Sequence, residues 1–315
     1  MAKQLELPDG RNLDYVVVGK EDGFPLIWCH GTPSGYTAIP ALESACEKQG
    51  FKLVTFSRAG YGGSSRRKGR SIVADVDDVR ALLKHLGHEQ CVVGGWSGGG
   101  PHALACAAKL ECCLAVVAVA AVAPYNVEGL DWLAGQGQDN IEETEAALQG
   151  EEVLAKFCEK QRPEMIRGTA ADIVELMKTL LPEVDQRALL ESDDLGKYME
   201  QTVSTPHLLY ATANLTPSLQ MKEGLKNSCD GWVDDSLAFL EPWGFDVADV
   251  KCPVSLYQGD LDLMVPFGHG QWLASHIPEK FLKKHLYTGE GHISIFLGRI
   301  EQMLDEMREA IDKKA

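Results

Sequence analysis

Short, fully apolar runs alternate with amphipathic stretches over the first part of the chain. Tyr15-Val16-Val17-Val18, Pro25-Leu26-Ile27-Trp28-Cys29, Lys52-Leu53-Val54-Thr55-Phe56 and Cys91-Val92-Val93-Gly94-Gly95 read as strands, and Leu114 to Val122 as another. Between them, Ala38 to Gln49 reads as a helix stopped by Gly50. Ser71 to Leu86 reads as a second, with Ser71 as its N-cap and Gly87 as its stop. Its apolar residues Ile72, Val76, Val79, Leu82, Leu83 and Leu86 recur at helical spacing. Gly98 to Ala108 reads as an alanine-rich third helix. Continuous apolar strands alternating with helices predict a parallel sheet covered on both faces.

The pattern changes near Val127. From there to Asp235 no segment has a strand pattern, and Glu142 to Lys160, Ala170 to Leu181, Asp185 to Val203 and Leu208 to Lys226 read as charged helices. Strand patterns return at Val254-Ser255-Leu256-Tyr257-Gln258 and Lys283 to Tyr287, before a final helix over Ile293 to Lys313. The expected organisation is a core over 1–126 and 236–315, interrupted by a helical cap over 127–235.

Composition narrows the function. With 45% hydrophobic and 24% charged residues in 315, the bulk of the chain is expected to fold. A charge of −16 would repel phosphate backbones and anionic membrane surfaces, so no nucleic-acid or membrane partner is expected. The longest apolar run, Cys112 to Ala123, is 12 residues, where a membrane helix needs about 20. The N-terminus has no apolar signal core, and the nine cysteines sit mostly in apolar contexts. They read as reduced thiols of a cytoplasmic protein, and no spacing suggests a metal site. Oligomeric state is left open.

Two motifs carry chemistry. Gly95-Trp96-Ser97-Gly98-Gly99 follows an apolar strand and opens a helix. A serine at such a sharp turn is forced into strained backbone geometry, and its hydroxyl points off the sheet at a helix N-terminus. The Gly98 N–H then faces a developing oxyanion. The spacing fits neither a dinucleotide-binding glycine motif nor a P-loop. His30-Gly31-Thr32-Pro33-Ser34-Gly35 follows the strand ending at Cys29 and makes Thr32 the candidate second oxyanion donor. Trp96 and Gly31, beside these groups, are candidate substrate-binding residues.

With these motifs the chain resembles the α/β-hydrolase superfamily, specifically its capped serine hydrolases. Further markers are Arg58-Ala59-Gly60-Tyr61-Gly62-Gly63-Ser64, Gly259-Asp260-Leu261-Asp262-Leu263-Met264-Val265-Pro266 and Gly289-Glu290-Gly291-His292. The resemblance implies a three-layer α/β-hydrolase fold: a mostly parallel sheet of about eight strands, helices on both faces and an inserted all-helical cap. It also implies an acid after the strand that follows the cap, and a histidine in a late loop. Motif register favours Asp262 over Asp260 as the acid. Of nine histidines, His292 alone lies in a glycine-rich loop after the last strand, while His102 is expected to border the pocket. The implied chemistry is that Ser97 attacks, His292 takes and returns the proton, and Asp262 orients the imidazole. No metal or organic cofactor is required.

A small carboxylic ester or related acyl compound is the expected substrate. A serine nucleophile disfavours epoxide hydrolysis and dehalogenation, which use a carboxylate in this fold. The alternatives are an aminopeptidase of proline iminopeptidase type, a C–C bond hydrolase, and a hydrolase-like small-ligand receptor with little turnover. Proline iminopeptidases bind a free amine through cap carboxylates. Here Glu142, Glu143, Glu145, Glu151 and Glu152 read instead as a solvated helix face, and Leu176, Met177, Leu180 and Leu181 as helix packing.

Overall fold

A computed structural model describes residues 2–167, 175, 177–191 and 217–314. Eight strands form one sheet: β1 (Lys3–Glu6), β2 (Asn12–Gly19), β3 (Phe24–Cys29), β4 (Phe51–Phe56), β5 (Cys91–Trp96), β6 (Cys113–Val119), β7 (Val254–Gly259) and β8 (Leu282–Tyr287). Their order is β1-β2-β4-β3-β5-β6-β7-β8. β1 and β2 pair antiparallel with their neighbours, and β4 through β8 pair in parallel. The all-apolar reading of β6 has its reason here, since every residue of Cys113–Val119 is buried.

Helices α1 (Pro40–Gln49), α2 (Asp75–Leu86) and α3 (Gly99–Lys109) connect the strands up to β6. Beyond it come α4 (Gln138–Leu148), α5 (Glu151–Arg167), α6 (183–191), α7 (Pro217–Gly224) and α8 (Asp230–Leu240). After β7 follow α9 (Phe267–His276), α10 (Ser294–Leu297) and α11 (Ile300–Asp312). One face of the sheet packs Leu42 and Cys46 of α1 with Met303, Leu304 and Met307 of α11. The other packs Val76 and Val79 of α2, Leu104 of α3 and Leu273 of α9. The three-layer expectation therefore holds.

Several local readings need correction. The Ser71 side chain caps nothing; a 3-10 turn, Ile72–Ala74, precedes α2, which starts at Asp75. The single helix read over Glu142 to Lys160 is two, α4 and α5, parted at Gly150, whose φ of 104° continues no right-handed helix. The last helix is likewise split into α10 and α11 around Gly298-Arg299. The strand β1 went unread, being a largely exposed edge with no apolar run. Half of the helix read over Ala170 to Leu181 lies outside the described residues, and 177–180 within it form turns. The helices read up to Val203 and from Leu208 are described only over 183–191 and 217–224. Position 235, the expected end of the cap, falls inside α8.

Candidate active site

β3, β5, β7 and β8 run in parallel, so their carboxyl ends deliver four loops to one edge of the sheet. Those loops carry Gly31 and Thr32, Ser97 and Gly98, Asp262, and His292. Ser97 has φ of +57°, the left-handed geometry that its motif predicts, between β5 and α3. Two glycines make this turn sterically possible. A Cβ on Gly95 would collide with the Gly99 carbonyl, and a Cβ on Gly99 with the carbonyls of Cys29 and His30.

His292 is buried, and its Nδ1 lies 2.8 Å from Asp262 Oδ2. Asp262 is the better held of the two candidate acids. Its Oδ1 accepts from the N–H groups of Met264 (2.9 Å) and Val265 (2.8 Å), and its Oδ2 also accepts from Gln258 Nε2 (3.2 Å). Asp260 is exposed and accepts from the Gly289 N–H at 2.7 Å, away from His292. Burial by itself lowers the His292 pKa; the Asp262 carboxylate, with Asp185 behind it, reverses this and holds it above the ordinary 6.5. With Nδ1–H donating to Asp262, Nε2 is left as the proton acceptor.

Ser97 and His292 line one cavity of about 190 Å³, together with Gly31, Thr32, Trp96 and Gly98. Among the described residues no hydrogen bond joins Ser97 Oγ to His292 Nε2, and such bonds commonly tighten only around bound substrate. Thr32 and Gly98 face each other, because a Cβ on Gly98 would strike the Thr32 side chain. Neither of their N–H groups donates to a protein acceptor among the described residues. Trp96 packs its ring 5.3 Å from the His292 ring and donates Nε1–H to the His292 carbonyl at 3.1 Å.

Behind the Thr32 turn lies a buried ionic group that the sequence does not announce. Asp235 of α8 accepts from Thr32 Oγ1 (2.6 Å), Arg58 (2.6 Å), Tyr61 (2.8 Å) and Arg70. Arg58 also donates to the His30 carbonyl. Asp75 sits 3.0 Å from His102, which completes the group. His102 is thus fully enclosed here and does not border the cavity, contrary to expectation; α3 turns it away from the pocket toward Asp75. Burial opposes ionisation of both acids, yet Arg58 and Arg70 hold Asp235 well below the usual carboxylate range, and Arg70 with His102 holds Asp75 at about 2.

The segment after β6 roofs the cavity with Phe157, Met165, Met177, Leu180, Leu189 and Trp232. So Met177 and Leu180 line it, while Leu181 packs on Leu189 and Ile293. Glu143 corrects the solvated-face reading. It reaches into the cavity, with Oε1 accepting from Trp232 Nε1 (2.9 Å) and Ser236 Oγ (2.6 Å), and burial pushes its pKa up against these two hydrogen bonds. Glu142, Glu145 and Glu152 are exposed as expected. Glu143, Asp185, Gln258 and His269, whose Nε2–H donates to the Trp132 carbonyl (2.9 Å), were not singled out from sequence as site groups. No local motif marks any of them. Among the described residues no three His, Cys, Asp or Glu side chains are grouped as a metal site requires. Among the described residues no helix is long and apolar enough to cross a membrane.

Comparison with known proteins agrees with this architecture. The family model described as alpha/beta hydrolase fold matches residues 25–298. The chain is 23% identical to an AB hydrolase superfamily protein, YisY, of Bacillus subtilis (strain 168) over 285 residues, 88% of this chain and 90% of that one. It is 31% identical to a proline iminopeptidase of Arabidopsis thaliana over 104 residues, 32% of this chain and 27% of that one. A thermophilic esterase from Thermogutta terrifontis, solved with malate bound, superposes with a TM-score of 0.61 at 21% identity, covering 99% and 98% of the two chains. The parallel sheet, the strained serine after β5 and the family match over most of its length place this chain in the α/β-hydrolase family.

Proposed function

We propose that this hydrolase is a serine hydrolase that cleaves a small carboxylic ester or related acyl compound through Ser97, His292 and Asp262. One observation carries the reading: a serine at φ +57° opens into the same cavity as a buried histidine whose Nδ1 is 2.8 Å from a buried carboxylate.

The chemistry follows from the proton positions. His292 Nε2 takes the Ser97 hydroxyl proton as Oγ attacks the acyl carbon. The Asp262 carboxylate stabilises the imidazolium formed. The free N–H groups of Thr32 and Gly98 receive the oxyanion; each such donor is worth about 10²–10³ in rate. His292 then returns the proton to the leaving group, leaving an acyl-enzyme. Water, activated by His292 in its turn, releases the acid. Trp96 and Gly31 bound the acyl position. The helices between β6 and β7 serve as the cap, and the apolar roof of Phe157, Met165 and Leu189 suits a compact apolar acyl group. A cytoplasmic setting is part of the proposal, supported by nine cysteines of which eight are buried.

A second reading has its own observation. Glu143 presents a carboxylate to the cavity, and its Oε2 has no hydrogen-bond donor among the described residues. A substrate bearing an ammonium group would pair with it, as in an aminopeptidase of proline iminopeptidase type. The test is steady-state hydrolysis of p-nitrophenyl esters of increasing acyl length beside aminoacyl and prolyl p-nitroanilides, with wild type and Ser97→Ala. Turnover of esters lost in the variant supports the first reading. Turnover of the anilides alone moves the assignment to the second, and no turnover of either class rejects both.

A further inference from the structure

The loop that carries His292 is held from two sides by two different acids. Asp262 takes the imidazole. Asp185, wholly buried in the first turn of α6, takes the backbone. Its Oδ2 accepts from the His292 N–H at 2.7 Å. Its Oδ1 accepts from the N–H groups of Ile293 (3.0 Å) and Ser294 (2.9 Å). Ser294 Oγ accepts from the Gly291 N–H at 2.9 Å, which closes the turn. The carboxylate lies so close that a Cβ on Gly291 would overlap it, so glycine before His292 is a requirement of this contact.

Asp185 does not belong to the core sheet or its loops. It arrives on the helical segment inserted between β6 and β7. Leu181 and Leu189, on either side of it, pack on Ile293. Leu189, which lines the cavity, therefore also packs on the loop that presents the base. Three buried N–H groups would lose their acceptor if this segment lifted, at about 1–3 kcal/mol for each buried donor left unpaired.

We propose that Asp185 is a positioning residue, through which seating of the inserted helix α6 fixes the backbone of the His292 loop and so aligns the base with Ser97. The inference rests on the reading of Ser97 as nucleophile and His292 as base. Asp262 and Asp185 are the charged groups that bear on His292, and both favour its protonated form. Loss of the Asp185 charge therefore lowers the pH at which the base becomes neutral, whereas a purely structural role would leave that midpoint in place.

The test needs no natural substrate. An alkyl fluorophosphonate labels an activated serine: Ser97 Oγ bonds to phosphorus, the P–F bond breaks, fluoride leaves, and the hydroxyl proton passes to His292. The labelling rate is measured against pH for wild type, Asp185→Asn, Asp185→Ala, Gly291→Ala and the Asp185→Ala/Gly291→Ala double variant, with melting temperature alongside. Asp185→Asn is expected to label about 10- to 100-fold more slowly, the cost of a base displaced by a fraction of an ångström to 1 Å, with a lowered pH midpoint. Gly291→Ala is expected to slow the wild type but to add little once Asp185 is alanine, since the collision is then relieved.

A slowed rate with either a lowered midpoint or a non-additive cycle supports the proposal. An unchanged rate overturns it, as does a slowed rate with an unmoved midpoint and additive losses. If the Asp185 variants do not fold, Gly291→Ala decides alone. Slower labelling at the wild-type melting temperature supports the proposal, and labelling at the wild-type rate overturns it. Failure of the wild type to label at Ser97 rejects the proposed function itself, which separates the two.

Discussion

Thr32 and Asp235 are 203 positions apart in the chain and joined by a 2.6 Å hydrogen bond, hydroxyl to carboxylate, in the buried floor of the site. The candidate oxyanion turn is thus tied to α8, the helix on which the chain re-enters the core. Asp235 balances Arg58 and Arg70, all three with essentially no solvent contact. Removing one partner of such a group strands the others. Asp235→Ala is expected to cost about 3–5 kcal/mol, read as a lowered urea midpoint. Because Asp235 is held below 3.8 and Asp75 at about 2, their stabilisation is complete above that range and lost as pH falls through it. Acid unfolding of the wild type should therefore steepen below about pH 4, a dependence that Asp235→Ala flattens.

The nucleophile assignment predicts that Ser97→Ala lowers kcat by about 10⁴–10⁶ on any turned-over substrate and leaves the circular dichroism spectrum unchanged. Activity retained in that variant would remove the covalent mechanism.

The acid assignment is tested by a pair. Asp262→Asn should lose about 10⁴ in kcat, while Asp260→Asn, whose amide oxygen can still accept from the Gly289 N–H at an exposed turn, should stay within a few-fold. The reverse ranking in a kcat comparison would contradict the geometry.

His292 sets the pH profile. Its pKa lies above 6.5, and the base works neutral, so kcat/KM should rise with pH through a midpoint above 6.5. The sign for stability is opposite. The fold favours the protonated imidazole, so its stabilising contribution is full below 6.5 and lost as pH rises through the folded value. A kcat/KM profile already flat at pH 6 would exclude His292 as the base.

Glu143→Gln separates the substrate classes. For a substrate with an ammonium group it should raise KM by about 10- to 150-fold, the 1.5–3 kcal/mol of a hydrogen bond to a charged group. For a neutral ester KM should change by less than about threefold. Equal effects on both would mean that Glu143 supports the cavity wall and does not select substrate.

Local pattern alone determined much of this protein. The apolar runs of β3, β5 and β6 mark a sheet buried on both faces, since only such strands tolerate apolar side chains at consecutive positions. Gly95-Trp96-Ser97-Gly98-Gly99 encodes its own turn, because the collisions that forbid a Cβ at Gly95 and Gly99 are local to that crossing. His292 and Asp262 are legible only through family order, since 30 residues separate them and nothing in either loop specifies the 2.8 Å contact.

Other features belong to the tertiary structure. A charged residue in a helix looks the same in sequence whether its face meets water or a cavity. Glu142 and Glu143 are neighbours with the same side chain, yet one is exposed and the other lines the site, because α4 packs along one stripe. Asp185 reads as an ordinary polar residue in the first turn of a helix until folding brings the loop N–H groups of residues 292–294 to it. Periodicity reports which side of an element is apolar. What a polar side chain meets across more than a hundred residues is decided only when the elements pack.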